Sequence, residues 1–125
     1  MPRILIVDDE PSLLKMMSVY LTRLGFMVET ALSAEKGMAI LQASPDGFGV
    51  AVLDATMDGT SLDELALRML ESTPRLCVIA ASGYPVDTSR LEAAAPGRVT
   101  FLHKPFAPEM LAATVRRMLA TEEAV

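Results

Sequence analysis

Several residue types are scarce in this chain, and each scarcity removes a class of function. There is one cysteine, so no internal disulfide can form. Cys77 lies inside an apolar run and reads as a small core residue in a reducing compartment. One histidine, His103, cannot make an HExxH zinc motif, and neither a P-loop nor a Gly-rich dinucleotide motif occurs. Beside Lys104 at a strand end, His103 reads as a packed or solvated ring rather than a phosphocarrier. Basic residues number 11 against 16 acids, for a net charge of −5, and they never form a run. Direct nucleic-acid binding is therefore not expected. No apolar run approaches the ~20 residues that cross a bilayer. The N-terminal apolar segment Ile4 to Val7 is too short for a secretory signal and meets acids at once. These absences point to a cytoplasmic protein with no membrane contact.

What is present suits a packed core. Hydrophobic residues make up 51% and charged residues 22%, which predicts one globular domain over residues 1–125. Ile4 to Val7 reads as a buried strand, followed by Asp8-Asp9-Glu10 and by Pro11 in the first turn of a helix. Leu14, Met17, Leu21 and Leu24 recur at helical spacing up to Gly25, a natural helix stop. A second strand covers Phe26 to Ala31. Ser33 then caps a helix with Met38 and Leu41 inward, and Gly37 there, costing about 1 kcal/mol relative to alanine, suggests a close contact. Pro45-Asp46-Gly47 marks a turn. Gly49 to Asp54 is a strand buried on both faces. Ser61-Leu62-Asp63-Glu64 opens a helix as a capping box, with Leu62, Leu65, Ala66 and Met69 on one face, and Pro74 ends it. Leu76 to Ala81 is the fourth strand, Val86 to Ala95 a weaker helix, Val99 to Leu102 the fifth strand. Pro108 opens a last helix that buries Leu111, Thr114, Val115 and Met118. Nine methionines at these spacings read mostly as core filler. Five alternations of strand and helix predict a parallel α/β sheet covered by helices on both faces, with right-handed crossovers.

Such a sheet gathers all its strand ends on one edge, where ligands bind. The first strand brings Asp8 and Asp9 there, the third Asp54, the fourth Ser82 and the fifth Lys104. Each has an ordinary structural reading as a capping acid, a turn former or a surface charge. Converging carboxylates ~4 Å apart repel by about 4 kcal/mol at an effective dielectric of 20, so they call for a proton or a cation. All-oxygen ligands favour Mg²⁺, and a lysine with a hydroxyl opposite suits phosphoryl oxygens. The set reads as a phosphoryl-transfer site with one carboxylate as nucleophile.

Val7-Asp8-Asp9-Glu10, Asp54, Ser82-Gly83-Tyr84 and Lys104-Pro105-Phe106, in this order and spacing, resemble the receiver domain of bacterial two-component response regulators over essentially the whole chain. The resemblance implies a flavodoxin-like, doubly wound (βα)5 fold with strand order 2-1-3-4-5. It implies that Asp54 is the phosphoacceptor and that Asp8, Asp9, Asp54 and the backbone carbonyl of Thr56 hold Mg²⁺. Lys104 would pair with the phosphoryl group, Ser82 would bond to it after transfer, and Phe101 would be the aromatic switch residue. It also implies a cis Lys104-Pro105 bond, a histidine kinase or phosphotransfer protein as donor, a downstream effector protein, and homodimerisation as an option on phosphorylation.

One departure stands out. Relatives usually carry Met-Pro after the phosphoacceptor and an Asp-Gly further on, whereas here Met57 precedes Asp58-Gly59, with Ser61-Leu62 where the later pair would stand. Losing the proline should change the stiffness of this loop, and Asp58 has two readings: an extra acid that alters cation affinity or phosphoryl lifetime, or a side chain that simply points to solvent. Two alternatives remain open: a pseudo-receiver that binds partners without phosphorylation, and a small Mg²⁺-dependent aspartyl phosphohydrolase. Against the second, the expected general acid two residues after the nucleophile is Thr56. A switch that catalyses only its own phosphorylation and dephosphorylation would not be an enzyme in the usual sense. The Met1-Pro2-Arg3 start and the short tail after the last helix fit a free-standing receiver or one excised from a larger protein.

Overall fold

The computed structural model describes residues 2–57 and 61–123. Asp58-Gly59, the departure noted above, lies outside the described residues. The elements alternate as expected: β1 (Arg3–Val7), α1 (Pro11–Arg23), β2 (Met27–Ala31), α2 (Ala34–Ala43), β3 (Phe48–Asp54), α3 (Leu62–Ser72), β4 (Cys77–Ser82), α4 (Ser89–Ala94), β5 (Val99–His103) and α5 (Pro108–Glu123). All four strand pairings are parallel, in the order β2-β1-β3-β4-β5. This is the flavodoxin-like arrangement, and its order reverses between β1 and β3.

Period-2 alternation divides the strands between two cores. Leu5, Val7, Ala51, Leu53, Val78 and Ala80 face α2, α3 and α4. Ile4, Ile6, Val50, Val52, Ile79 and Ala81 face α1 and α5. All seven residues of β3 are buried, as a central strand covered on both faces requires. Gly37 is where α2 comes nearest to β1: an added Cβ would stand 2.7 Å from Cγ2 of Val7. The methionines divide. Met17, Met38, Met57, Met69 and Met118 are buried, while Met16, Met27 and Met110 are exposed.

Several boundaries move by a residue or more, each for a hydrogen-bonding reason. β2 begins at Met27 rather than Phe26 because the Phe26 N–H closes α1 on the Leu21 carbonyl. Gly25, at φ 97°, donates to Thr22, which completes a Schellman stop. β4 begins at Cys77 because the Leu76 N–H turns back to Thr73. β3 starts one residue early, since Phe48 pairs with Arg3. α4 covers only Ser89–Ala94, shorter than the expected Val86 to Ala95. There the Asp87 carboxylate accepts the Ser89 N–H at 2.9 Å, a turn that holds Val86 and Asp87 outside the helix. Ser33 and Ser61 do cap their helices, accepting from Lys36 and Glu64. Among the described residues no helix is long and apolar enough to cross a membrane.

Candidate functional site

The site forms where β1 and β3 deliver their last residues to the same edge. In that register Val7 lies beside Leu53, so Asp8 and Asp54 follow side by side. Asp8 is held by its backbone N–H on Ala31 O at 3.1 Å, and its Oδ1 accepts the Glu10 N–H at 3.0 Å. These bonds turn the chain into α1 and keep the carboxylate inward. Carboxylate oxygens of Asp8, Asp9 and Asp54 all lie within 4.8 Å of one another. Asp8 and Asp54 are buried, and Asp9 is exposed.

Lys104 reaches the acids from the loop after β5. Its Nζ lies 3.2 Å from Asp8 Oδ2 and 3.5 Å from Asp54 Oδ1. Its backbone N–H donates to Ser82 O at 2.8 Å, which ties the ends of β4 and β5 together. The Lys104-Pro105 bond is cis, as the motif implied. Ser82 is fully buried at the end of β4, and its Oγ accepts the Tyr84 N–H at 3.0 Å. That bond uses a lone pair and leaves the hydroxyl proton available to donate. β4 pairs Ala81 with Asp54, so Ser82 stands one residue beyond the acid on the neighbouring strand.

The electrostatics are those of an anionic pocket with one cation for two buried carboxylates. Burial pushes the Asp8 carboxyl above its ordinary value. The Glu10 N–H and the Lys104 charge pull it down, and the Asp54 charge adds to the rise. A charged Asp8 is thus only partly compensated, which is the condition that favours a bound cation. An all-oxygen donor set fits a hard divalent ion.

Thr56 does more than its expected backbone role. Its N–H and its hydroxyl both donate to Asp54 Oδ1, at 3.0 and 2.9 Å. Asp54 Oδ2 accepts no hydrogen bond among the described residues. The two oxygens of the acid are therefore unequal, one tethered and one open. The available sequence signal was a hydroxyl residue two positions after a strand-end acid, where side-chain turns form. The Lys104–Asp8 pair was likewise not read, because residues 96 apart in sequence carry no local mark of their contact. Phe101 stays out of the pocket, half-buried on β5 against the core of the α3 side. Its ring meets exposed His103 edge-on, with centroids 6.2 Å apart.

Comparison with known proteins gives a consistent result. The family model described as "Response regulator receiver domain" matches residues 4–116. The photosynthetic apparatus regulatory protein RegA of Cereibacter sphaeroides is 33% identical over 103 residues, which cover 82% of this chain and 54% of that protein. The chain spans 25–54% of the length of five curated relatives that it matches. Among solved structures, a CheY-like response regulator receiver domain protein from Methanospirillum hungatei superimposes with a TM-score of 0.86 at 27% identity, over 99% of this chain and 98% of that one. The response regulator TrrA from Thermotoga maritima, solved in complex with Mg²⁺ and beryllium fluoride, gives 0.79 at 26% identity, over 94% and 99%.

Proposed function

Because the chain belongs to the response regulator receiver domain family, we propose that it is a phosphorelay switch whose Asp54 accepts a phosphoryl group from a phosphohistidine. The donor is a histidine kinase or a phosphotransfer protein, and the readout is a downstream protein that senses the phosphorylated state. The observation that carries this reading is the meeting of three carboxylates within 4.8 Å with the Lys104 ammonium on their flank.

The chemistry follows from the inequality of the Asp54 oxygens. With Oδ1 tethered by Thr56, a lone pair on Oδ2 is free to form the new O–P bond. The P–N bond to the donor imidazole breaks as it forms, and its electron pair leaves with the nitrogen. Mg²⁺, held by Asp8, Asp9, Asp54 and the Thr56 carbonyl, would neutralise charge on the transferring phosphoryl oxygens when bound. Lys104 would turn from Asp8 towards the new phosphoryl group. The Ser82 hydroxyl proton, free of its own turn, would donate to the same group. The phosphorylated side chain carries about −1.5 to −2 charges where the carboxylate carried −1. The bond from Lys104 N–H to Ser82 O lets the loops after β4 and β5 respond together. Phe101, at the half-buried margin of β5, is the residue placed to register that movement. We place the protein in the cytoplasm and assign it no turnover beyond its own phosphorylation and dephosphorylation.

The test is intact-mass measurement after incubation with acetyl phosphate and Mg²⁺. Wild type should gain one Mg²⁺-dependent phosphoryl adduct, and Asp54→Asn should gain none. No adduct under any condition, including with a cognate kinase, would assign the chain to the pseudo-receivers. Rapid multiple turnover of small phosphate esters would make it a hydrolase instead, a role that Thr56 serves poorly, since its hydroxyl is committed to Asp54.

A further inference from the structure

Away from the acidic site, the flank of the molecule carries a cleft of about 640 Å³ between α1 and α2. Its floor is the outer margin of β2 at Thr30 and Ala31. β2 pairs only with β1, so alternate backbone N–H and C=O groups on its other side have no strand partner. The walls are apolar, with Leu14 and Val19 from α1 facing Leu32 and Ile40. Val19 and Leu32 are 39% and 44% exposed, so apolar surface stands open to solvent inside a concave feature. Lys15 and Lys36 contribute one cation from each helix. Neither makes an ion pair among the described residues. In a chain with 16 acids against 11 bases, no carboxylate among the described residues lines this cleft.

We propose that this cleft is a docking surface for an extended, acidic segment of a partner protein, with apolar side chains between its carboxylates. An extended segment is favoured because the floor is a strand edge, which offers backbone bonds to another strand and none to a helix. Acidity is favoured because, among the described residues, the ammonium groups of Lys15 and Lys36 are the only charges lining the cleft, and neither is ion-paired. Apolar residues are required to cover Val19 and Leu32. An anionic bilayer meets the charge requirement but not the shape, since the apolar residues are recessed and the molecule carries a net charge of −5. The docking surface is independent of phosphoryl transfer at Asp54 and stands or falls separately from it.

The test is selection of phage-displayed random decapeptides on the whole protein, with the Lys15→Glu/Lys36→Glu double variant as counter-target. Enriched sequences should combine acids with apolar residues. Made synthetically, they should bind the double variant at least tenfold more weakly and lose affinity with rising salt. Lys15→Gln/Lys36→Gln should give an intermediate loss, separating lost attraction from added repulsion. Bound peptide should shift the amide resonances of Thr30 to Leu32, and Val19→Ser should weaken it. Both lysine variants should still take up phosphate from acetyl phosphate at the wild-type rate. Peptides that lack acids, bind the double variant equally, or shift resonances elsewhere overturn the proposal, as does a selection that enriches nothing. Binding to phosphatidylserine vesicles that the double variant loses, without acidic peptides being selected, overturns it in favour of a membrane surface. A dimer in sedimentation that the double variant disperses assigns the cleft to a second copy and overturns it too.

Discussion

At the scale of single residues, the pocket separates what holds Asp54 from what charges it. The Thr56 hydroxyl contributes a hydrogen bond to a carboxylate, worth about 1.5–3 kcal/mol. Thr56→Val should therefore slow phosphoryl uptake from acetyl phosphate by roughly tenfold. Thr56→Ser, which restores the donor, should recover most of the rate; equal rates for all three proteins would show that the tether does not matter. Asp8 behaves in the opposite sense. Its folded-state pKa is raised above the ordinary 3.8 by burial, so folding favours its protonated form. That contribution to stability is fully present below 3.8 and is lost as pH rises through the raised value. At neutral pH the charged Asp8 weakens the metal-free fold. Asp8→Asn should raise the melting temperature there by a few degrees and abolish Mg²⁺-dependent phosphorylation. The advantage should shrink as pH falls towards 3.8, which melts at several pH values in chelator would reveal.

At the scale of elements, two contacts decide how the helices seat on the sheet. Gly37 lets α2 lie against Val7, and alanine there would put a methyl group 2.7 Å from a fully buried branched side chain. Helix propensity favours alanine by about 1 kcal/mol, whereas overpacking costs about 1–3 kcal/mol. Gly37→Ala should thus destabilise the protein by about 1 kcal/mol in urea unfolding, and a gain in stability would mean that Val7 yields freely. Arg98 fastens the other end of the molecule. Its guanidinium donates to the carbonyls of Leu76, Leu70 and Thr73, at 2.9, 3.3 and 2.8 Å. These include an orphan acceptor at the C-terminal end of α3, which Thr73 closes as the C-cap. Arg98→Met keeps the stem and removes the donors, so a loss of about 1–3 kcal/mol is expected in the same measurement.

At the scale of the whole molecule, the acidic edge would couple folding to the binding of a divalent cation. The three carboxylates come together only when β1 and β3 pair, so a divalent ion that binds them binds the folded state alone. At tenfold over its dissociation constant, Mg²⁺ should stabilise the protein by about 1.4 kcal/mol. Asp9→Asn should remove most of that gain in calorimetry while changing the metal-free midpoint little, because Asp9 is exposed. The two cores on either face of the sheet share their strands, so unfolding should remain one cooperative transition with or without the ion.

Much of this was legible in the chain alone, because it rests on local period and local chemistry. Alternating apolar residues placed the strands, helical spacing and capping serines placed the helices, and strand ends marked Asp8, Asp54, Ser82 and Lys104 as neighbours. The sequence by itself thereby determined the α/β class and the edge where chemistry collects. Only the tertiary structure decided what depends on contacts between distant residues. Lys104 rests on Asp8 as well as Asp54, Arg98 closes α3, and Gly37 meets Val7, none of which a window of neighbouring residues can encode. The inequality of the two Asp54 oxygens belongs to the same class, since it needs the Thr56 hydroxyl at 2.9 Å and not merely nearby in the chain. So does the cleft beside β2, where Lys15 and Lys36, on different helices, become a pair only once both helices lie against one strand.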